Sequence, residues 1–383
     1  MNVVQPMITR RRLLGIAATG ALGGLTHAWT PPGQDPPEHT LSVISGKPRE
    51  RGRQYGKRFS EPIRAWLDRE VYQAFAKEAA RREELFRYAG ACAPLIKSYS
   101  PEILEELEGM AEGSGLKLEE HLLLTLHEEL YHKGALETEG HCKAVAAGPP
   151  HTSDGQSYVG QTWDWMKSTY GKSQMLLWQR GEGPSLLAYT YPGLWVGAGV
   201  NSSGLGLAWT SAGLGNKLGA RVGIPTYVLI AQMLYQRSLA DALDEAKRAR
   251  QAGWFAFLLA DGEGHFAQVE GSPDRQAVAR GTGHLAVHQY QTRELTGTPE
   301  GQPIVRNKET QQLYKLLAAG KGRLDREAIQ EILGDHECPI CMHHTSWGGT
   351  VDTFIFNTTK HEASVCRGPG CMGTWKTFTF ENH

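Results

Sequence analysis

From Arg51 to Lys133 apolar residues return every three or four positions, through Ile63, Trp66, Leu67, Val71 and Phe75 and again through Ile103, Leu104, Leu107 and Met110. That spacing gathers them on one face of a helix and predicts a series of amphipathic helices. Ser100-Pro101-Glu102 marks a helix start: a hydroxyl cap, proline in the first turn, then a carboxylate near the positive end of the dipole. Gly113-Ser114-Gly115 ends that helix, and Leu118 to Tyr131 begins another.

After Cys142 the pattern changes to short apolar runs separated by turn residues, which predicts strands at 157–161, 174–179, 185–191 and 205–210. Helical spacing returns over 225–249. Strands are predicted again at 254–260, 266–270 and 276–279, helices at 305–317 and 326–333, and closing strands at 351–356, 362–366 and 374–380. No internal repeat is visible. Helices, strands, helices and strands in that order predict an α+β fold in which two sheets pack together with helices outside.

The chain has 383 residues, 40% hydrophobic and 21% charged, enough to bury a large core. A formal net charge of -1 supplies no cationic field, which argues against non-specific nucleic-acid binding. Trp163, Trp165, Trp195 and Trp209 therefore read as core or pocket wall rather than as a base-stacking surface.

The N-terminus changes the picture further. Thr9-Arg10-Arg11-Arg12-Leu13-Leu14 precedes an Ala/Gly-rich apolar run that ends near Thr26-His27-Ala28, the layout of a twin-arginine export signal cut after Ala28. The run from Leu13 to Leu25 is too short and too rich in glycine for a bilayer span, so a cleaved signal over 1–28 is expected, not an anchor. A Pro-rich linker over 29–45 follows. These features imply the twin-arginine export machinery as a partner, a periplasmic or secreted location, and no stable membrane span. Six cysteines, Cys92, Cys142, Cys338, Cys341, Cys366 and Cys371, then admit disulfides.

Cys142 sits in GHCKAVAAG, with polar neighbours where the helical pattern gives way to strands. If the peptide bond between His141 and Cys142 is cut, the new α-amine titrates near ~7.7–8.0 beside a thiol near ~8.5, so the nucleophile carries its own base. The bland reading is a buried or disulfide-linked cysteine. Downstream, in DGQSYVGQTWDW, Asp164 lies between two tryptophans and needs a cation, which an N-terminal ammonium would supply. Arg306, in PIVRNKE, offers a second positive charge that would favour the thiolate.

Taken in order, GHCKAVAAG, VGQTWDW, GVNSSGLGL, PIVRNKETQQLYKLL, ICMHH and VCRGPGCMGTW resemble the acyl-coenzyme A:6-aminopenicillanic acid acyltransferase family of N-terminal-nucleophile hydrolases. RERGRQYGKRF and YSPEILEELEGMAEGSGL resemble that family's pro-region. The likeness runs from about Gly46 to Phe380, with choloylglycine hydrolases, penicillin V acylases, acid ceramidase and phospholipase B-like proteins as more distant relatives. It implies a four-layer αββα sandwich of two antiparallel sheets. It also implies self-cleavage between His141 and Cys142, residues 46–141 staying bound as an α chain and 142–383 forming the catalytic β chain.

Carried over by position, Cys142 is the nucleophile, Asp164 orients its α-amine, and Arg306 belongs to the surrounding ion-pair network. Thr210 and His288 align where relatives carry acyl-polarising asparagines. Gln161, Trp163, Trp165 and Asn201 are the candidate substrate-binding residues. The chain departs from the family at His141, where glycine is usual, and at Lys143, where a small hydroxyl residue is usual. Gln161 replaces the arginine of choloylglycine hydrolases, which argues against a conjugated bile salt. The implied substrate is a small acylated amide or thioester, and neither metal nor organic cofactor is called for.

Two other motifs compete. In DHECPICMHH, Cys338 and Cys341 have the spacing of a zinc knuckle or redox pair, with His336, His343 or His344 to complete a metal site. A structural disulfide is the more economical expectation after export. The glycines of GVNSSGLGLAW lack both the Walker lysine and the dinucleotide spacing and read as strand turns. The rival to an enzyme is a disulfide- or zinc-stabilised exported binding protein that kept the scaffold and lost the chemistry.

Overall fold

The computed structural model describes residues 38–134, 142–212, 220–343 and 348–381. A short strand β1 (Leu41–Ile44) leads into helices α1 (Pro48–Arg58), α2 (Ser60–Trp66), α3 (Gln73–Phe75), α4 (Ala79–Tyr99), α5 (Pro101–Ser114), α6 (Leu118–Thr125) and α7 (His127–Gly134). Strands β2 (Lys143–Ala147), β3 (Tyr158–Met166), β4 (Gln174–Trp178), β5 (Leu186–Thr190), β6 (Ala198–Asn201) and β7 (Gly206–Ser211) follow. Helices α8 (Thr226–Leu234) and α9 (Leu239–Arg248) precede β8 (Phe255–Ala260), β9 (His265–Gly271), β10 (Gln276–Thr282) and β11 (His284–Val287). The chain continues through α10 (Arg293–Thr296), α11 (Lys308–Ala319) and α12 (Arg326–Leu333) to β12 (Gly348–Asn357), β13 (Glu362–Arg367) and β14 (Trp375–Phe378).

The strands form two sheets, one ordered β1-β4-β5-β6-β7-β8-β9-β10 and the other β11-β2-β3-β12-β13-β14. β2 and β3 pack face to face on β7 and β8. α11 and α12 cover the outer face of the six-stranded sheet, while α8 and α9 cover the eight-stranded one, giving four αββα layers. Double cover explains why β5 (LLAYT) and β8 (FAFLLA) are continuous apolar runs buried at every position instead of alternating.

The helical N-terminal segment docks on the eight-stranded sheet. α1 and α5 approach until a Cβ on Gly52 would stand 2.0 Å from the Glu106 carbonyl and one on Gly109 2.1 Å from that of Arg49, so only glycine fits. The buried Arg51 guanidinium pairs with Glu106, whose carboxylate also accepts from Trp178 Nε1 at 3.1 Å and the Tyr235 hydroxyl at 2.7 Å. One charged cluster thereby ties α1 and α5 to β4 and the end of α8.

The differences from the sequence reading have local causes. Leu41–Ile44, assigned to the linker, pairs in parallel with β4 as an edge strand, the exception in two otherwise antiparallel sheets. The helix expected over 225–249 is two helices, because Ser238 caps α9 through a bond from Asp241 N. α11 starts at Lys308 since Asn307 is its cap, which leaves Val305 exposed. β6 and β11, four residues each, were too short to stand out. Among the described residues no helix is long and apolar enough to cross a membrane; the export signal lies outside them.

Candidate active site

Cys142 immediately precedes β2; His141, the other half of the expected scissile bond, lies outside the described residues. Lys143 pairs with Thr162 and Ala144 with Gln161. Strand alternation therefore puts Cys142, Gln161, Trp163 and Trp165 on the face toward the second sheet and Lys143, Thr162 and Asp164 on the opposite face. The lone aspartate between two tryptophans is simply the residue that points the other way.

On that outer face the Asp164 carboxylate is fully engaged. Lys143 Nζ lies 2.7 Å from Oδ2, the Thr350 hydroxyl donates to Oδ1 at 2.6 Å, and the Thr162 hydroxyl stands 3.5 Å from Oδ2. The register of β12 against β3 slips between Thr350 and Asp352, a bulge that aims Thr350 at the carboxylate. Asp164 thus already holds a cation in the uncut chain, whereas the sequence assigned it to an α-amine.

On the inner face Cys142 is buried, its Sγ 4.0 Å from the Asp164 backbone carbonyl. Burial, then the negative charge of Asp164, pushes the thiol up to about 12, against the opposing effect of the Asp164 backbone and smaller effects of Glu128, which raises it, and the Gln161 side chain, which lowers it. The acceptor its Sγ meets, a backbone carbonyl, cannot serve as a general base. Gln161 Oε1 accepts from Trp209 N at 2.8 Å, bridging the two sheets, while its Nε2 has no hydrogen-bond partner among the described residues. Next to Trp209, the buried Thr210 hydroxyl is likewise unpaired there. Gln161 Nε2 and Thr210 Oγ1 are two of several buried polar atoms unpaired among the described residues, each costing roughly 1–3 kcal/mol where no water meets it. His288 follows β11 and its Nδ1 stands 3.1 Å from the Cys142 carbonyl oxygen. A carbonyl can only accept, so Nδ1 carries the proton.

The other named residues divide by surroundings. Trp163 is packed against Tyr189, Tyr191, Trp209 and Phe354 as core between the sheets. Trp165 is half-buried against His127 and Tyr131, in an aromatic wall that continues to Trp66 and Tyr191. Asn201 spends its side chain on structure: Nδ2 donates to the Leu234 and Gln236 carbonyls and Oδ1 accepts from Ser203 N and Leu205 N, leaving nothing for a substrate. Arg306 is exposed, bonded through Nε to Gln291 Oε1 at 3.0 Å and set over the Tyr314 ring, not among the carboxylates near Cys142.

Sequence reasoning missed Lys143 and Thr350 as partners of Asp164, and an acidic pair on α7. Glu128 accepts from the Tyr227 hydroxyl at 2.9 Å and Glu129 from Thr226 N at 2.7 Å; burial raises these carboxyls to about 7 and about 8. The available signal was two acids set between Leu126 and Leu130, where the rest of the segment is apolar. The expected Cys338–Cys341 disulfide is not formed, and all six cysteines are free. Cys341 instead meets Cys371, His336 and His343.

This four-layer sandwich, with Cys142 at the head of an inner strand, has the αββα fold of N-terminal-nucleophile hydrolases. Residues 151–370 match the profile of the family described as acyl-coenzyme A:6-aminopenicillanic acid acyl-transferase, more than half of the chain, and the protein belongs to that family. The matched stretch begins beyond Cys142. Among solved structures the chain is similar to a variant of the conjugated bile acid hydrolase from Clostridium perfringens, at 14% identity over 63% of this chain and 97% of that one, TM-score 0.43. It is also similar to penicillin V acylase from Agrobacterium tumefaciens, at 10% identity over 62% of this chain and 86% of that one, TM-score 0.43.

Proposed function

We propose that the protein is an exported, self-cleaving N-terminal-cysteine amidohydrolase or acyltransferase. The observation that carries this reading is the thiol of Cys142, at the head of β2 and on the same inner face as Gln161, whose Nε2 is unpaired among the described residues. In the uncut chain that thiol attacks the His141 carbonyl, its proton passes to the amide nitrogen as the C–N bond breaks and the acyl group moves to sulfur, and water then resolves the thioester. A carboxylate remains on His141 and an α-amine on Cys142.

The amine then supplies the missing base. It takes the thiol proton as sulfur attacks an amide or thioester carbonyl, and it returns that proton to the leaving group. Thr210 and Gln161 donate to the oxyanion. Water, or an amine acceptor, releases the acyl group; outside the cytoplasm, hydrolysis is the outcome we assign. The buried Arg51–Glu106 cluster supports an α chain that stays docked after cleavage. A twin-arginine leader over 1–28 would carry the folded chain to the periplasm or beyond.

The test is Cys142→Ser and Cys142→Ala, assayed on chromogenic acyl amides and thioesters. Both should lose turnover. A Cys142→Ala protein that hydrolyses as fast as the parent removes this residue from the mechanism.

A further inference from the structure

We propose that His336, Cys341, His343 and Cys371 form a closed four-ligand zinc site. The two imidazoles and two thiols each offer one ligand atom, and all four atoms lie within 4.8 Å of one another. His336 Nε2 is 3.1 Å from His343 Nε2, and Cys341 Sγ is 3.6 Å from Cys371 Sγ. Cys371 Sγ is also 3.0 Å from His343 Nε2 and 3.4 Å from His336 Nε2. Zinc bonds of ~2.3 Å to sulfur and ~2.0–2.1 Å to nitrogen give a tetrahedron with edges of roughly 3.3–3.8 Å, which these separations approach.

The chemistry of the donors points the same way. Without a cation, two imidazole nitrogens face each other and crowd the same sulfur. A divalent ion at the centre relieves that crowding. Both thiols lose their protons, two are released per zinc, and all four lone pairs point at one charge. A Cys341–Cys371 disulfide is the rival. It would bring the sulfurs to ~2.0 Å and leave the histidine pair with nothing to bind. Cys338, which the spacing in the sequence favoured as a ligand, is outside the cluster.

The ligands join two distant parts of the chain, the loop after α12 and the turn between β13 and β14. With every position filled by protein, the ion has no open site for water and is structural. Its reach extends to the nucleophile. Met342, between two ligands, donates from its N–H to the Thr350 hydroxyl at 2.8 Å and accepts from Thr350 N at 2.8 Å, and that hydroxyl in turn holds Asp164. The zinc loop is thereby a brace behind Asp164 and Lys143.

Full-length protein purified without chelator should contain about one zinc per chain. Cobalt exchanged into it should give the sulfur-to-cobalt charge-transfer and strong visible bands of a tetrahedral site, a readout that needs no variant. Cys371→Ser and His336→Ala should lose stoichiometric metal, while Cys338→Ser keeps it. Cys142→Ala should bind zinc like the parent, which separates this site from the proposed activity. No stoichiometric metal with both thiols titratable, a Cys341–Cys371 disulfide in peptide maps, or loss of zinc in Cys338→Ser would each overturn the proposal.

Discussion

Lys143 Nζ lies 2.7 Å from Asp164 Oδ2, with neither side chain more than 2% exposed. The residue after Cys142 thus neutralises the carboxylate on the far face of the strand. A buried ion pair contributes little net stability relative to an apolar pair, but breaking one member leaves an uncompensated charge. Lys143→Met should cost about 3–5 kcal/mol, and Lys143→Met combined with Asp164→Leu should recover much of that loss. Urea denaturation of both variants measures it; a single variant as stable as the parent contradicts the pairing.

Thr210→Val separates two roles of a buried hydroxyl. As a merely structural group, Thr210 Oγ1 has no partner among the described residues, so its removal should leave stability unchanged or raise it by about 1 kcal/mol. As an oxyanion donor, its removal should lower kcat by about 10²–10³. We expect both results in the same protein, read by thermal unfolding and steady-state kinetics. Undiminished kcat would leave Thr210 without a catalytic part.

Four buried groups contribute opposing slopes to the pH dependence of stability. Glu128 and Glu129 are raised from 4.5 to about 7 and about 8, so their neutral forms favour the fold and stability falls as pH rises through those values. His121 and His127 are lowered from 6.5 to about 3 and about 4, so stability falls as pH drops below 6.5 toward those values. The contributions of these four groups cancel between pH 4.5 and 6.5, and the two carboxyls then lower stability up to about pH 8. Glu129→Gln should flatten the decline, by on the order of a few kcal/mol at pH 9. Urea midpoints across pH test this, and an unchanged slope in the variant counts against it.

Two positions should behave as structure rather than chemistry. Arg306→Ala, exposed and bonded to Gln291, should leave self-cleavage and kcat at parental values with a stability change within about 0.5 kcal/mol. Asn201→Ala removes four hydrogen bonds, two in the β6–β7 turn and two at and just past the end of α8, and should lower stability by about 2–4 kcal/mol with KM unchanged. A selective rise in KM for Asn201→Ala would restore it to the substrate site.

What was legible in the sequence was what periodicity and motif order encode. The helical N-terminal segment, most strands and the α12 boundaries (Arg326–Leu333) emerged because their apolar faces repeat over many residues. The neighbourhood of Cys142 with Gln161 and His288 was suggested by motif order rather than by spacing. The partners of Asp164 were not legible. Lys143 read as a departure from the family, and Thr350 is aimed by a bulge that leaves no mark in the residue pattern. The spacing of Cys338 and Cys341 suggested the wrong pair, because the partner of Cys341 comes from a turn thirty positions away in the chain.

N-terminal sequencing of the mature polypeptides, paired with intact mass, tests the central claim most directly. The account predicts two associated chains, one ending at His141 and the other beginning at Cys142, in every active preparation. A fully active protein whose His141–Cys142 bond is intact would leave the thiol without its base and contradict the account.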